Sequence, residues 1–115
     1  MSAIGSLQKL TVMVLTPNEK TKLGAAYTDP QTIPGPIEIL GIQGVILNSE
    51  EGNVILHLHG TFSDEEGKVY GGHVAPIEGE NPILATLDVI IGEITDAKMT
   101  LRYDEETDLN IFCPE

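Results

Sequence analysis

The chain has 115 residues, a single cysteine and a formal net charge of −12, from 18 acidic and 6 basic side chains. That length supports one hydrophobic core and hence one domain, residues 1–115. The charge argues against an isolated DNA-binding module, Cys113 alone excludes an internal disulfide, and no apolar run is long enough to span a bilayer, so a cytoplasmic protein without a membrane partner is expected.

Strand signals dominate from the N-terminus onward. Leu7 to Leu15 reads as a first strand, ended by the turn Thr16-Pro17-Asn18-Glu19. Leu23 to Tyr27 is a short second strand, and Asp29-Pro30 and Pro34-Gly35-Pro36 punctuate the segment after it. Ile37 to Leu47 is strand-like, with Gly41 and Gly44 marking bends or close backbone approach. Asn48 to Asn53 makes a hairpin loop into Val54 to Phe62, an apolar, β-branched segment that reads as a strand. The loop Ser63 to Gly67 then leads into a strand over Lys68 to Val74. Ile83 to Ile94 is long enough for a helix, but its β-branched content, with three such residues in succession at 89–91, favours a strand. Lys98 to Tyr103 and Leu109 to Phe112 form a closing hairpin around Asp104 to Asp108. The result is seven or eight short strands and little helix. Aromatic side chains are scarce, so the core is aliphatic, and a small sheet of this kind leaves an apolar face that another subunit would cover.

All three histidines fall in one short stretch, as His57-Leu58-His59, thirteen residues, then His73. Two residues at i and i+2 of a strand point to the same face. A hairpin centred on Glu65 sets His57 opposite His73 and Gly71 opposite His59, and facing residues have Cβ atoms roughly 4.5–5.5 Å apart. Three imidazoles then converge on one patch. A bulge in the loop would shift the register by one and turn His73 to the other face. Three neutral imidazoles make a half-shell for Zn²⁺ or another divalent transition metal, because catalytic zinc characteristically has three protein ligands and one open position. The bland alternative is a set of partly buried histidines bonded to backbone carbonyls.

Further motifs carry a resemblance. Pro36-Ile37-Glu38-Ile39-Leu40, His57-Leu58-His59, Ser63-Asp64 to Gly67 and Val69-Tyr70-Gly71-Gly72-His73 resemble the plants-and-prokaryotes-conserved (PPC) domain. So do Ala85-Thr86-Leu87 running to Gly92-Glu93, and Arg102-Tyr103-Asp104 with Thr107. The resemblance implies a β-rich α+β fold, a strongly bent antiparallel sheet with few helices, assembled as a homotrimer. It also implies that His57, His59 and His73 are metal ligands, and that the fold is related to that of α-acetolactate decarboxylase, a zinc enzyme. Members usually begin with an extra strand and helix before the Gly-Ser-Leu motif, which here stands at Gly5, so the chain is expected to lack that cover. Plant members carry the domain beside AT-hooks, which need several arginines; this chain has only Arg102.

Two functional readings emerge. The first is a metal-binding trimer, a lyase or hydrolase acting on a small carbonyl or anionic ligand at the open coordination position. Glu38, unusual in an otherwise apolar strand, is its candidate acid or base, and Arg102 its candidate anion clamp. The second is a non-catalytic assembly or regulatory module with a structural metal. DNA association without a partner is disfavoured by charge.

Overall fold

The computed structural model describes residues 1–115, and all of its regular structure is extended. Nine strands succeed one another: β1 (Ser2–Met13), β2 (Leu15–Pro17), β3 (Ala25–Tyr27), β4 (Gln31–Asn48), β5 (Val54–Ser63), β6 (Val69–Val74), β7 (Ile83–Ile90), β8 (Met99–Asp104) and β9 (Leu109–Pro114). The β-rich expectation holds, and its few helices reduce to none. Five strands form the main antiparallel sheet in the order β4-β5-β6-β1-β7, and β4 also pairs with β1. The sheet thereby curls back on itself: β4 pairs with β1 over Gln31 to Gln43 and with β5 over Glu38 to Asn48. β2–β3 and β8–β9 are separate two-stranded ribbons.

The bending has a local cause in β4. Relative to β1 it carries one extra residue near Gly35-Pro36 and another near Leu40-Gly41, the latter also out of step with β5. Each extra residue bends a strand and increases its twist. This explains why Pro34-Gly35-Pro36, expected to interrupt the chain, lies inside an 18-residue strand. A proline has no N–H to donate to a ladder, and a bulge is where that loss is tolerated. Other boundaries also move. β1 begins at Ser2 instead of Leu7, and β7 stops at Ile90 instead of Ile94 because its partner β1 runs out at Ser2, opposite Ile90.

Ala3, Leu7, Leu10 and Val12 of β1, Ile37, Ile39 and Ile42 of β4, and Phe62 of β5 form the core. Only 12 of 115 residues are buried. The accessible surface is 7980 Å², against about 6,100 Å² for a compact monomer of this mass. The radius of gyration, 15.5 Å, likewise exceeds the roughly 13 Å of a compact chain of this length. The molecule is a curved slab, 43 × 39 × 20 Å, with Leu84, Ile90, Ile91 and Ile94 among the large apolar side chains left in water.

Candidate metal centre

The histidine face is set by alternation along β5. Phe62 is fully buried and Leu58 packs against the core, so His57 and His59 point to the opposite face of the sheet. On β6, Tyr70 and Val74 pack against the core, which places His73 on the histidine face as well. The β5–β6 register pairs His59 with His73, Thr61 with Gly71, and Ser63 with Val69. The expected pairing of His57 with His73 is therefore corrected by two residues. The turn explains the slip. Asp64 accepts hydrogen bonds at Oδ1 from the amides of Glu66 and Lys68, both at 2.9 Å, and Gly67 takes a left-handed conformation at φ 79°. The loop is still five residues long but spans Asp64 to Lys68, one position later than expected. A slip of two keeps every side chain on its face, so convergence survives.

The ring centroids lie 4.9 Å apart for His57 and His59, 5.0 Å for His57 and His73, and 5.2 Å for His59 and His73. One ring nitrogen from each lies within 4.8 Å of the others. Donors sharing a tetrahedral zinc at about 2.0–2.1 Å are about 3.4 Å apart, so the cluster is within about 1.5 Å of ligating geometry. His57 and His59 are exposed and free to close that gap by side-chain rotation, whereas His73 is buried. None of the three imidazoles has a carboxylate partner. Partial desolvation beside the other rings, reinforced by the charge of His59, lowers the pKa of His57 below its ordinary 6.5. Burial, followed by the proximity of His57 and His59, lowers that of His73. Both effects favour the neutral imidazole, the form that ligates a metal. His73 adds a second sign: its Nδ1 is buried with no hydrogen-bond partner. An orphaned buried polar atom costs about 1–3 kcal/mol, a cost that an ion bound at that nitrogen removes. The donor set fits a borderline-soft divalent transition metal.

Glu38, the first of the two other candidates, is not brought to this cluster. Glu38 is exposed and pairs with Ser63, four residues beyond His59, or about 13 Å at roughly 3.3 Å per residue. It lines a separate groove of about 630 Å³ with Ser6, Asp64, Glu65 and Asp88. Arg102 sits on the β8–β9 ribbon and approaches Glu115 at 3.6 Å, where Lys98 also pairs at 3.4 Å. Tyr27, in contrast, went unremarked as a site residue in the sequence yet stacks on His73 with centroids 4.8 Å apart and rings 23° from parallel. Its only sequence signal is an aromatic residue closing a short strand. Gln43, paired with His59 across β4–β5, borders the cluster on the other side.

The chain is thus a β-rich protein whose curled antiparallel sheet presents three convergent imidazoles. Residues 1–95 match the model of the Plants and Prokaryotes Conserved (PCC) domain, and the chain belongs to that family. None of the curated proteins matches the chain. Among solved structures it resembles a candidate DNA-binding protein from Ralstonia eutropha JMP134 at 20% identity and a TM-score of 0.66, covering 97% of this chain and 69% of that one. A metal-containing protein from Archaeoglobus fulgidus matches at 23% identity and a TM-score of 0.62, over 97% and 71%. A plant- and prokaryote-conserved (PPC) protein from Pyrococcus horikoshii matches at 22% identity and a TM-score of 0.60, over 96% and 69%. At these identities the likeness establishes the fold.

Proposed function

We propose that this chain is a self-assembling metal-binding protein in which His57, His59 and His73 hold one divalent transition metal, zinc being the first choice, with a coordination position left open. The observation that carries this reading is the buried Nδ1 of His73, which has no partner in the protein while two further imidazoles stand about 5 Å away. The metal-containing description of the Archaeoglobus fulgidus neighbour supports it. A metal held this way polarises a carbonyl or lowers the pKa of a bound water to about 7. Gln43 and Thr61 share the histidine face, and their side chains make no hydrogen bonds within the protein, so they are free to orient a small carbonyl or anionic ligand. In this reading no role is assigned to Glu38, which lies about 13 Å along the sheet from His59, or to Arg102, which approaches Glu115. The test is metal content of untagged protein purified without added metal. About one equivalent per chain is expected for the wild type and almost none for His73→Ala; a metal-free wild type that also fails to take up Co²⁺ at neutral pH would refute the reading.

Self-assembly is supported by surface area. The chain exposes about 1,900 Å² more than a compact monomer of its mass would, about twice the roughly 800 Å² that each partner buries in one standard protein interface. With the resemblance as guide, the assembly is a homotrimer. Light scattering should then give three times 12.4 kDa, and a stable monomer at micromolar concentration would refute it.

A DNA-binding reading, prompted by the Ralstonia eutropha neighbour, is disfavoured. Lys9 pairs with Glu80, Lys22 donates to the Glu105 carbonyl, Lys68 lies over the Tyr70 ring, and Lys98 and Arg102 share Glu115. The 6 basic side chains are also outnumbered three to one by 18 acidic ones, whose repulsion opposes phosphates.

A further inference from the structure

A metal-ligating histidine is ordinarily oriented by a hydrogen bond from its second nitrogen to a carboxylate, a carbonyl or water. No carboxylate or carbonyl of the protein plays that part here: no imidazole of the cluster hydrogen-bonds to another protein group, and the Nδ1 of His73, the nitrogen left for the ion, is buried without a protein partner. Nor does rotamer preference fix the ring, since the outer torsion of histidine is broad and roughly two-fold. The contact that does constrain His73 is the face of Tyr27, stacked at 4.8 Å and 23°. The backbone holds Tyr27 in place independently of the histidines. Tyr27 pairs with Leu15 in the β2–β3 ribbon, the amide of Thr28 donates to the Val14 carbonyl at 2.9 Å, and Val14 N–H donates to Thr28 Oγ1 at 3.2 Å. This ribbon continues directly from β1, whose Met13 pairs with His73. The Tyr27 hydroxyl makes no hydrogen bond within the protein, so the ring is the part in contact.

We propose that Tyr27 is a positioning residue of the metal centre: its ring fixes the orientation of His73 and closes that side of the cluster, so a further ligand reaches the ion past the exposed His57 and His59. The inference rests on the three-histidine reading and adds a residue that sets the geometry of the buried ligand and the side of access. It makes the phenyl ring necessary and the phenolic oxygen dispensable, which separates it from a role for Tyr27 as ligand or proton donor.

The test compares wild type, Tyr27→Phe, Tyr27→Leu and Tyr27→Ala by two measurements. The first is made on metal-free protein: the ring-proton resonances of the three histidines. One histidine should be shifted upfield by the stacked ring in wild type and Tyr27→Phe and return towards the ordinary position in Tyr27→Leu and Tyr27→Ala. The second is Co²⁺ affinity by chelator competition, with the visible absorption of the bound ion. Tyr27→Phe should stay within about twofold of wild type with the same spectrum. Tyr27→Ala should weaken binding by about 10–100-fold, the usual cost of removing a residue that orients a ligand, and alter the spectrum. Tyr27→Leu should fall with Tyr27→Ala. Tyr27→Ala binding Co²⁺ with wild-type affinity and spectrum would overturn the proposal, as would full recovery by Tyr27→Leu, which would reduce Tyr27 to packing. A wild type with the ring shift but no Co²⁺ binding would overturn the metal reading itself and the proposal with it. A wild type that binds Co²⁺ but shows no ring shift would overturn the proposal alone.

Discussion

Gly44 offers the sharpest test of how the sheet builds the histidine strand. It stands in β4 opposite Leu58, the residue between His57 and His59. A Cβ added there would lie 2.1 Å from the His57 carbonyl oxygen and 2.9 Å from the Leu58 Cα, both backbone atoms that no rotamer change can move. Relief requires β4 and β5 to separate by about 1 Å from a normal spacing of about 4.8 Å. Gly44 is also tied to the N-terminus, accepting from the Met1 amino group at 3.0 Å and donating to the Met1 carbonyl at 3.1 Å, so displacing it weakens both bonds. Overpacking of this kind costs about 1–3 kcal/mol, or very roughly 5–15 °C in melting temperature for a domain of this size. Because His57 shares the displaced segment, Co²⁺ affinity should fall too, about tenfold, as expected when a ligand's support moves. Gly71→Ala is the matched control. It lies on the face of His73, two residues away, and its Cβ would meet nothing closer than the Gly60 carbonyl at 3.7 Å. There the loss of unfolded-chain freedom makes alanine neutral or stabilising by up to about 1 kcal/mol. Both variants should be melted at one protein concentration, since the proposed self-assembly would make melting temperature concentration-dependent. Equal stability and affinity for Gly44→Ala and wild type would refute the close-approach argument.

Further expectations concern charge and pH. His57 and His73 both titrate below their ordinary 6.5 in the folded chain, so the unfolded chain takes up protons first as pH falls. Stability of the metal-free protein should therefore be level above about pH 7 and decline as pH drops from about 6.5 through the folded values. Thermal melts in chelator across that range should show the decline, and a His57→Gln, His73→Gln double variant should lack it. Hydrogen bonds from Thr107, and from Thr100 and Lys98, lower the pKa values of Asp104 and Glu115, so their contribution disappears only in the more acidic carboxylate range. Glu38→Gln and Arg102→Ala should leave Co²⁺ affinity within about twofold of wild type, since removal of a true orienting partner costs about 10–100-fold; a tenfold loss in either would bring that residue into the site, from its own or a neighbouring subunit. Binding to duplex DNA by anisotropy at about 150 mM salt should be no tighter than the non-specific range of roughly 10⁻⁴–10⁻⁶ M, because each chain carries −12 and any self-assembly multiplies that charge; submicromolar binding would reverse the functional ranking.

The histidine cluster was legible in the sequence because it depends on parity, which is local. Residues i and i+2 of a strand share a face whatever the strand pairs with, and a loop of unchanged length displaced by one position shifts the register by two, leaving His73 on the face of His57 and His59. Strand content was legible for the same reason, since β-branched runs between turn residues carry their own signal. The register was not, because it hangs on Asp64 capping the turn amides and on where Gly67 takes its left-handed conformation. Pro34-Gly35-Pro36 looked like an interruption because the sequence does not show that β4 bulges against β1 at that point. Glu38 stands out in the sequence as a charge in an otherwise apolar strand and Arg102 as the one arginine, but the register sets Glu38 opposite Ser63, four residues beyond His59, and Arg102 lies on a ribbon where it approaches Glu115. Tyr27 is the converse case. It reaches His73 from 46 residues away in the chain, through a ribbon whose placement depends on β1 and β6 meeting at Met13 and His73. Alternation along one strand determines which way a side chain faces; only the folded sheet determines what it meets there.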